Sequence, residues 1–162
     1  ETNEVITRGL SMPHSPRWYR NRLWVLNSGE GGLGFIDQRT GRYESVAELP
    51  GFTRGFDFVG PLAFIGLSQV RESAIFSGIK IAERPQEERS CGIWIVDIET
   101  GATVGFVKFE DAVQEIFAVQ ILHNARFPEL VNEDKELLNN SFILPDEALP
   151  DVPASLQALR NS

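Results

Sequence analysis

The chain has 162 residues, a formal net charge of −8, 42% hydrophobic and 23% charged residues, and one cysteine. That length suits a single domain, and the acidic balance argues against a nucleic-acid partner, which calls for a basic face. A lone cysteine excludes an internal disulfide, no run approaches the roughly 18 apolar residues of a membrane helix, and the polar start Glu1-Thr2-Asn3-Glu4 is not a signal peptide.

A reducing, cytoplasmic location follows as the default. Glu83, Glu87 and Glu88 offset Arg84 and Arg89 near Cys91, so the thiol reads as half-buried and inert at a strand start.

Glu4 to Arg8 is a β-prone run ended by Gly9, and reads as the last strand of an earlier unit. Met12-Pro13-His14-Ser15-Pro16-Arg17-Trp18-Tyr19 is kept extended by its prolines. After the turn Arg20-Asn21, Arg22 to Asn27 has a strand composition. Ser28 to Gly32 is a glycine-rich loop.

Then comes Gly32-Leu33-Gly34-Phe35-Ile36-Asp37-Gln38-Arg39-Thr40-Gly41, a strand running into a tight turn. Arg42 to Leu49 alternates polar and apolar residues, as a half-exposed strand does. Thr53 to Val59 and Leu62 to Leu67 are two further strands. A long excursion follows from Ser68 to Ser90, with a charged, solvated tail at Ala82 to Arg89. The first pattern then returns as Gly92-Ile93-Trp94-Ile95-Val96-Asp97-Ile98-Glu99-Thr100-Gly101.

A strand–turn–strand unit repeated in this way predicts an all-β, β-propeller-like fold of four-stranded antiparallel blades. The units fall near 11–51, 52–112 and 113–127, or about two and a half blades, too few to close a ring of roughly four to eight. Val113 to Leu122 is expected to be a strand on its β-branched and aromatic content. Residues 128–162 form a C-terminal extension, with a short helix expected over Asn132 to Asn140 and a last strand at Ser141 to Leu144. Lys135 is its only base between Glu129 and Asp151, which marks a solvated face.

Several stretches are specific enough to carry a resemblance: Gly9 to Trp18, Leu49 to Gly55, Val70 to Ser73, Glu110 to Val119 and Ser141 to Ala148. They resemble an uncharacterised bacterial family of propeller-like conserved hypothetical proteins, some fused to tetratricopeptide repeats. The resemblance spans nearly the whole chain. It implies that this chain matches the C-terminal half of longer members, which carry further units before the point matched by Glu1. It implies no activity, cofactor or site residue.

In a propeller blade the link into the innermost strand and the link between strands two and three lie on one face. The first kind of link carries His14-Ser15, Thr53-Arg54 and Gln114-Glu115. The second carries Ser28 to Gly31 and the excursion with Ser68, Arg71 and Glu72. His14, Arg54, Arg71, Glu72 and Glu115 are therefore expected to converge as a binding site around the axis.

The two arginines suit a small anionic ligand. An ion pair of Arg54 with Glu115 or Glu72 is an equal alternative. Glu115 is expected to be partly buried. Trp18, Trp24 and Trp94 read as core, and His123 as a surface residue. No zinc spacing, phosphate loop, nucleophile elbow or dinucleotide fingerprint occurs.

The leading expectation is a propeller-type module that binds a small molecule or peptide on its axial face. One alternative is a metal-assisted hydrolase or lyase of the lactonase-like kind, with Glu115 holding an axial cation and His14 as base. Another is a protein-interaction scaffold. Cofactors stay unknown at this stage, and no metal site is assigned. The open edges point either to a homo-oligomer or to a missing N-terminal half.

Overall fold

The two copies of the Asp-x-x-Thr-Gly turn fold alike. Asp37 Oδ1 accepts the Arg39 N–H at 2.8 Å and the Thr40 N–H at 3.3 Å, and Asp97 Oδ1 accepts those of Glu99 and Thr100 at 2.8 and 3.4 Å. The Gly41 and Gly101 amides then donate to the Asp37 and Asp97 carbonyls at 2.7 and 2.8 Å. Closing the turn needs φ of +69° and +75° at these glycines, a region open to glycine at little cost. The Arg39 N–H, followed by Thr40, holds the exposed Asp37 carboxyl below its ordinary range.

The computed structural model describes residues 3–70, 78–125, 128, 135–136 and 150. The chain divides into two units, Glu1–Ile121 and Leu122–Ser162. Among the described residues the first holds eight strands: β1 (Pro13–Tyr19), β2 (Arg22–Asn27), β3 (Gly32–Asp37), β4 (Arg42–Glu48), β5 (Phe52–Val59), β6 (Leu62–Ser68), β7 (Cys91–Asp97) and β8 (Thr103–Phe109). They form two four-stranded antiparallel meanders, β1-β2-β3-β4 and β5-β6-β7-β8. Ser28–Glu30, Lys80–Glu83 and Gln86–Glu88 are short 3₁₀ turns.

In the second unit Lys135 and Glu136 are helical, and Leu122 and His123 are exposed. The rest of the expected helix and the expected strand Ser141 to Leu144 lie outside the described residues. Among the described residues no helix is long and apolar enough to cross a membrane.

Strand alternation explains which residues are buried. Trp24 and Leu26 of β2, Leu33 of β3, Phe56 and Phe58 of β5, Ile65 and Leu67 of β6, and Trp94 and Val96 of β7 form one core that joins the sheets. Each such side chain contributes about 1.5–3 kcal/mol on burial. Aromatic contacts order the junction. Tyr19 stacks on Phe58 at 4.3 Å, and Trp24 meets Phe58 at 5.4 Å. The Tyr19 hydroxyl donates to the Gly60 carbonyl at 2.8 Å.

β1 and β5 share an irregularity, between His14 and Arg17 and between Thr53 and Phe56. His14 faces Leu26 and Thr53 faces Leu67. His14 thus corresponds to Thr53, and Ser15 to Arg54.

Five expectations need correction. Glu4 to Arg8 and Val113 to Ile121 form no strand. The latter stretch is pinned by side chains instead: Ser68 Oγ accepts the Ile116 N–H at 2.9 Å and donates to the Ile116 carbonyl at 3.1 Å, and Asp57 Oδ2 accepts the Ile121 N–H at 2.9 Å. Composition favours a strand there, but no ladder forms. Trp18 is 55% exposed, because its side chain falls on the opposite face of β1 from the core. Arg89, at the end of the tail expected to be solvated, is buried and donates to the Val70 carbonyl at 2.6 Å. Cys91 is fully buried rather than half-buried.

Candidate functional site

A cleft of about 390 Å³ opens where β1, β5 and the segment 113–121 meet. It is lined by His14, Ser15, Arg17, Arg54, Phe56 and Phe117, together with Gly55, Ala118 and Val119. Its size falls in the range of small-molecule sites.

The backbone makes this approach possible. A Cβ at Gly55 would stand 2.5 Å from Ala118 Cα and 2.7 Å from the Val119 nitrogen, and one at Gly66 would stand 2.7 Å from Ile116 Cγ2. Gly55 also sits at φ +70°. Two glycines on adjacent strands thus leave room for 116–119 to lie directly against the sheet. At the irregularity in β1, Ser15 takes φ +54°, and its Oγ accepts the Gly55 N–H at 3.2 Å.

His14 and Arg54 both line the cleft. His14 Nδ1 lies 2.8 Å from the Met12 carbonyl and 3.0 Å from Ser28 Oγ. A carbonyl only accepts, so the neutral imidazole carries its proton on Nδ1. Nε2 is left as a bare acceptor, with no hydrogen-bond partner among the described residues. The ring edge meets Phe52 at 5.4 Å.

The Arg54 guanidinium lies over the Phe117 ring, 4.5 Å from its centroid. The ion pairs among the described residues are Arg17–Asp57, Arg20–Glu99 and Lys80–Glu48, so Arg54 has no acidic partner there.

Arg17 and Phe117 line the cleft too, and residue spacing did not single them out. The parity of β1 carries the only hint for Arg17, since Ser15, Arg17 and Tyr19 alternate along the strand. Nothing in the sequence marks Phe117 apart from other core-like aromatics, yet it is 75% exposed.

Arg17 is not a free cation. Its Nη1 pairs with Asp57 Oδ1, and Asp57 also accepts from Phe58 N–H at 2.9 Å, Ile121 N–H at 2.9 Å and Gln120 Nε2 at 2.8 Å. Burial works to raise the Asp57 carboxyl. The Ile121 and Phe58 amides and the Arg17 charge outweigh it and hold the group below the ordinary carboxylate range.

Glu115 is exposed and does not line the cleft, contrary to the expected partial burial. The pins at Gln114 and Ile116 engage the backbone, so nothing draws its carboxylate inward. Its charge acts near Cys91 instead. Burial first, and the Glu115 charge with it, push that thiol up, which makes it a poor nucleophile. Arg71 and Glu72 lie outside the described residues. Among the described residues no three His, Cys, Asp or Glu side chains come together as a metal site.

Two four-stranded antiparallel meanders sharing one core, with a small cleft beside their first strands, define an all-β chain whose geometry alone assigns no chemistry. Residues 1–131 match the family model described as a domain of unknown function, DUF4915, and the chain belongs to that family. Comparison with curated proteins finds no match.

Proposed function

We propose that the chain is a propeller-type module that binds a small anionic molecule in the cleft between β1, β5 and 113–121. On this reading the two meanders are successive blades, and 113–121 is the innermost element of a third.

The observation that carries the proposal is Arg54: a half-buried guanidinium backed by an aromatic face, without an acidic partner among the described residues. A cation held in a cleft without a counter-charge favours an anion, and a planar fork suits a carboxylate or phosphate. The test is calorimetric titration with a panel of small carboxylates and phosphates, on the chain and on Arg54→Ala. Binding that disappears in a folded Arg54→Ala variant supports the reading. A panel that never binds, or binds the variant equally, refutes it. The metal-assisted alternative has lost ground, because Glu115 stands away from the cleft.

One observation favours a second reading, a scaffold. Val104, Phe106 and Val107 of β8 are 57%, 61% and 55% exposed. Within the chain, a Cβ at Gly41 or Gly101 would run into the carbonyl of Ile6 or Val46, so each Thr-Gly turn seats on backbone that precedes its own sheet. β8 would receive the turn of a further sheet of the same build. Light scattering that shows association, abolished by Phe106→Lys, would support this role, and a monomer at every concentration would count against it.

A further inference from the structure

The polar inventory of the cleft says more about the ligand than its charge. Arg54 offers only donors, and it is the cation there without an acidic partner among the described residues. Arg17 is neutralised by Asp57. The Gly55 amide is taken by Ser15 Oγ. The remaining unpartnered polar atom of the His14 ring is Nε2, fixed as an acceptor because Nδ1 donates to Met12. Ser15 Oγ keeps its own proton as a donor, and the other side chains that face the cleft are apolar: Phe117, Ala118 and Val119, with Phe56 behind them only 1% exposed.

A plain carboxylate would satisfy Arg54 and leave the Nε2 lone pair without a donor. A phosphate dianion would set further negative charge against that lone pair. What matches the set is one anionic group, one hydroxyl proton beside it, and an apolar body against the Phe117 ring.

We infer that the cleft takes a 2-hydroxycarboxylate with an apolar side chain, its carboxylate on Arg54, its hydroxyl donating to His14 Nε2 and its side chain against Phe117. This rests on the anion-binding reading above and names the ligand class of that same site. His14 then sets specificity and Arg54 sets affinity. A site that hydrogen-bonds a hydroxyl discriminates against the analogue lacking it, because its own polar atom is otherwise left unpaired.

The probes are 3-phenyllactate, as each enantiomer, and 3-phenylpropionate, which differs only in lacking the hydroxyl. They are titrated calorimetrically into the whole chain at pH 8. The expected result is that one enantiomer of phenyllactate binds about five- to tenfold more tightly than phenylpropionate. In His14→Leu that ratio should fall to about one. In ¹⁵N-labelled wild-type protein the His14 Nε2 resonance should shift on adding phenyllactate and stay in place on adding phenylpropionate.

Equal affinity for all three compounds, with binding lost in Arg54→Ala, overturns the hydroxyl assignment and leaves the anion site standing. No binding by any of them overturns both. A hydroxyl preference that survives in His14→Leu removes His14 from the role. Should that variant fail to fold, the wild-type affinity ratio and the resonance shift still decide the matter.

Discussion

Replacing Asp57 by alanine is the sharpest test of how the cleft is built. The carboxylate accepts from Arg17 Nη1, Phe58 N–H, Ile121 N–H and Gln120 Nε2. Not all of these are lost at full value. Gln120 is exposed and can turn to water. The Arg17 side chain is 37% exposed, so solvent screens the ion pair to about 1 kcal/mol or less.

The Phe58 amide belongs to a residue only 4% exposed, and orphaning a buried donor costs about 1–3 kcal/mol. The half-buried Ile121 amide adds about 1 kcal/mol. The sum is about 2–5 kcal/mol, a large share of the 5–15 kcal/mol typical of a domain. Urea unfolding should show it as a midpoint lower by about 1–2 M. Hydrogen exchange should show early loss of protection at Ile121, because Asp57 is its pin to β5. A loss below about 0.5 kcal/mol, or unchanged exchange at Ile121, would refute the assignment of Asp57 as the clasp between β5, β1 and 113–121.

Other expectations follow from the same contacts. The folded-state pKa of Asp57 is lowered, so its stabilisation is complete above the unfolded carboxyl value of about 4 and is lost as pH falls through the folded value. The urea stability gap between wild type and Asp57→Asn should therefore narrow from pH 7 to pH 3. Gly55→Ala should cost about 1–3 kcal/mol in urea unfolding, because its Cβ would meet Ala118 Cα at 2.5 Å. Trp24→Ala should cost about 3–5 kcal/mol, whereas Trp18→Ala should stay within about 0.5 kcal/mol, since Trp24 is 1% exposed and Trp18 lies largely in solvent. Phe117→Ala should weaken binding of a small carboxylate about threefold by removing a cation–π contact of roughly 0.5–1 kcal/mol, with the melting temperature little changed.

The sequence by itself determined most of the strands and both Thr-Gly turns, because alternation and an Asp-capped, glycine-closed turn are local physics: each is settled by residues within a few positions of one another. It also placed His14 and Arg54 near the starts of the first strands of the two sheets, since that follows from the repeat. What it could not settle is whatever depends on residues far apart in the chain. Val113 to Ile121 has a strand's composition, but it becomes a pinned segment because Ser68 and Asp57, some 48 and 64 positions from the backbone they hold, capture its groups.

The same distance hid the fate of each charge. Arg17 is neutralised by Asp57 across the two sheets, Arg54 rests on Phe117, and Glu115 stays in solvent. These outcomes turn on which side chains meet within a few ångströms, and spacing along the chain sets no such distance. Trp18 and Trp24 make the contrast plain. Both are bulky, both sit in strands, and which strand face the second sheet packs against decides that one is core and the other surface.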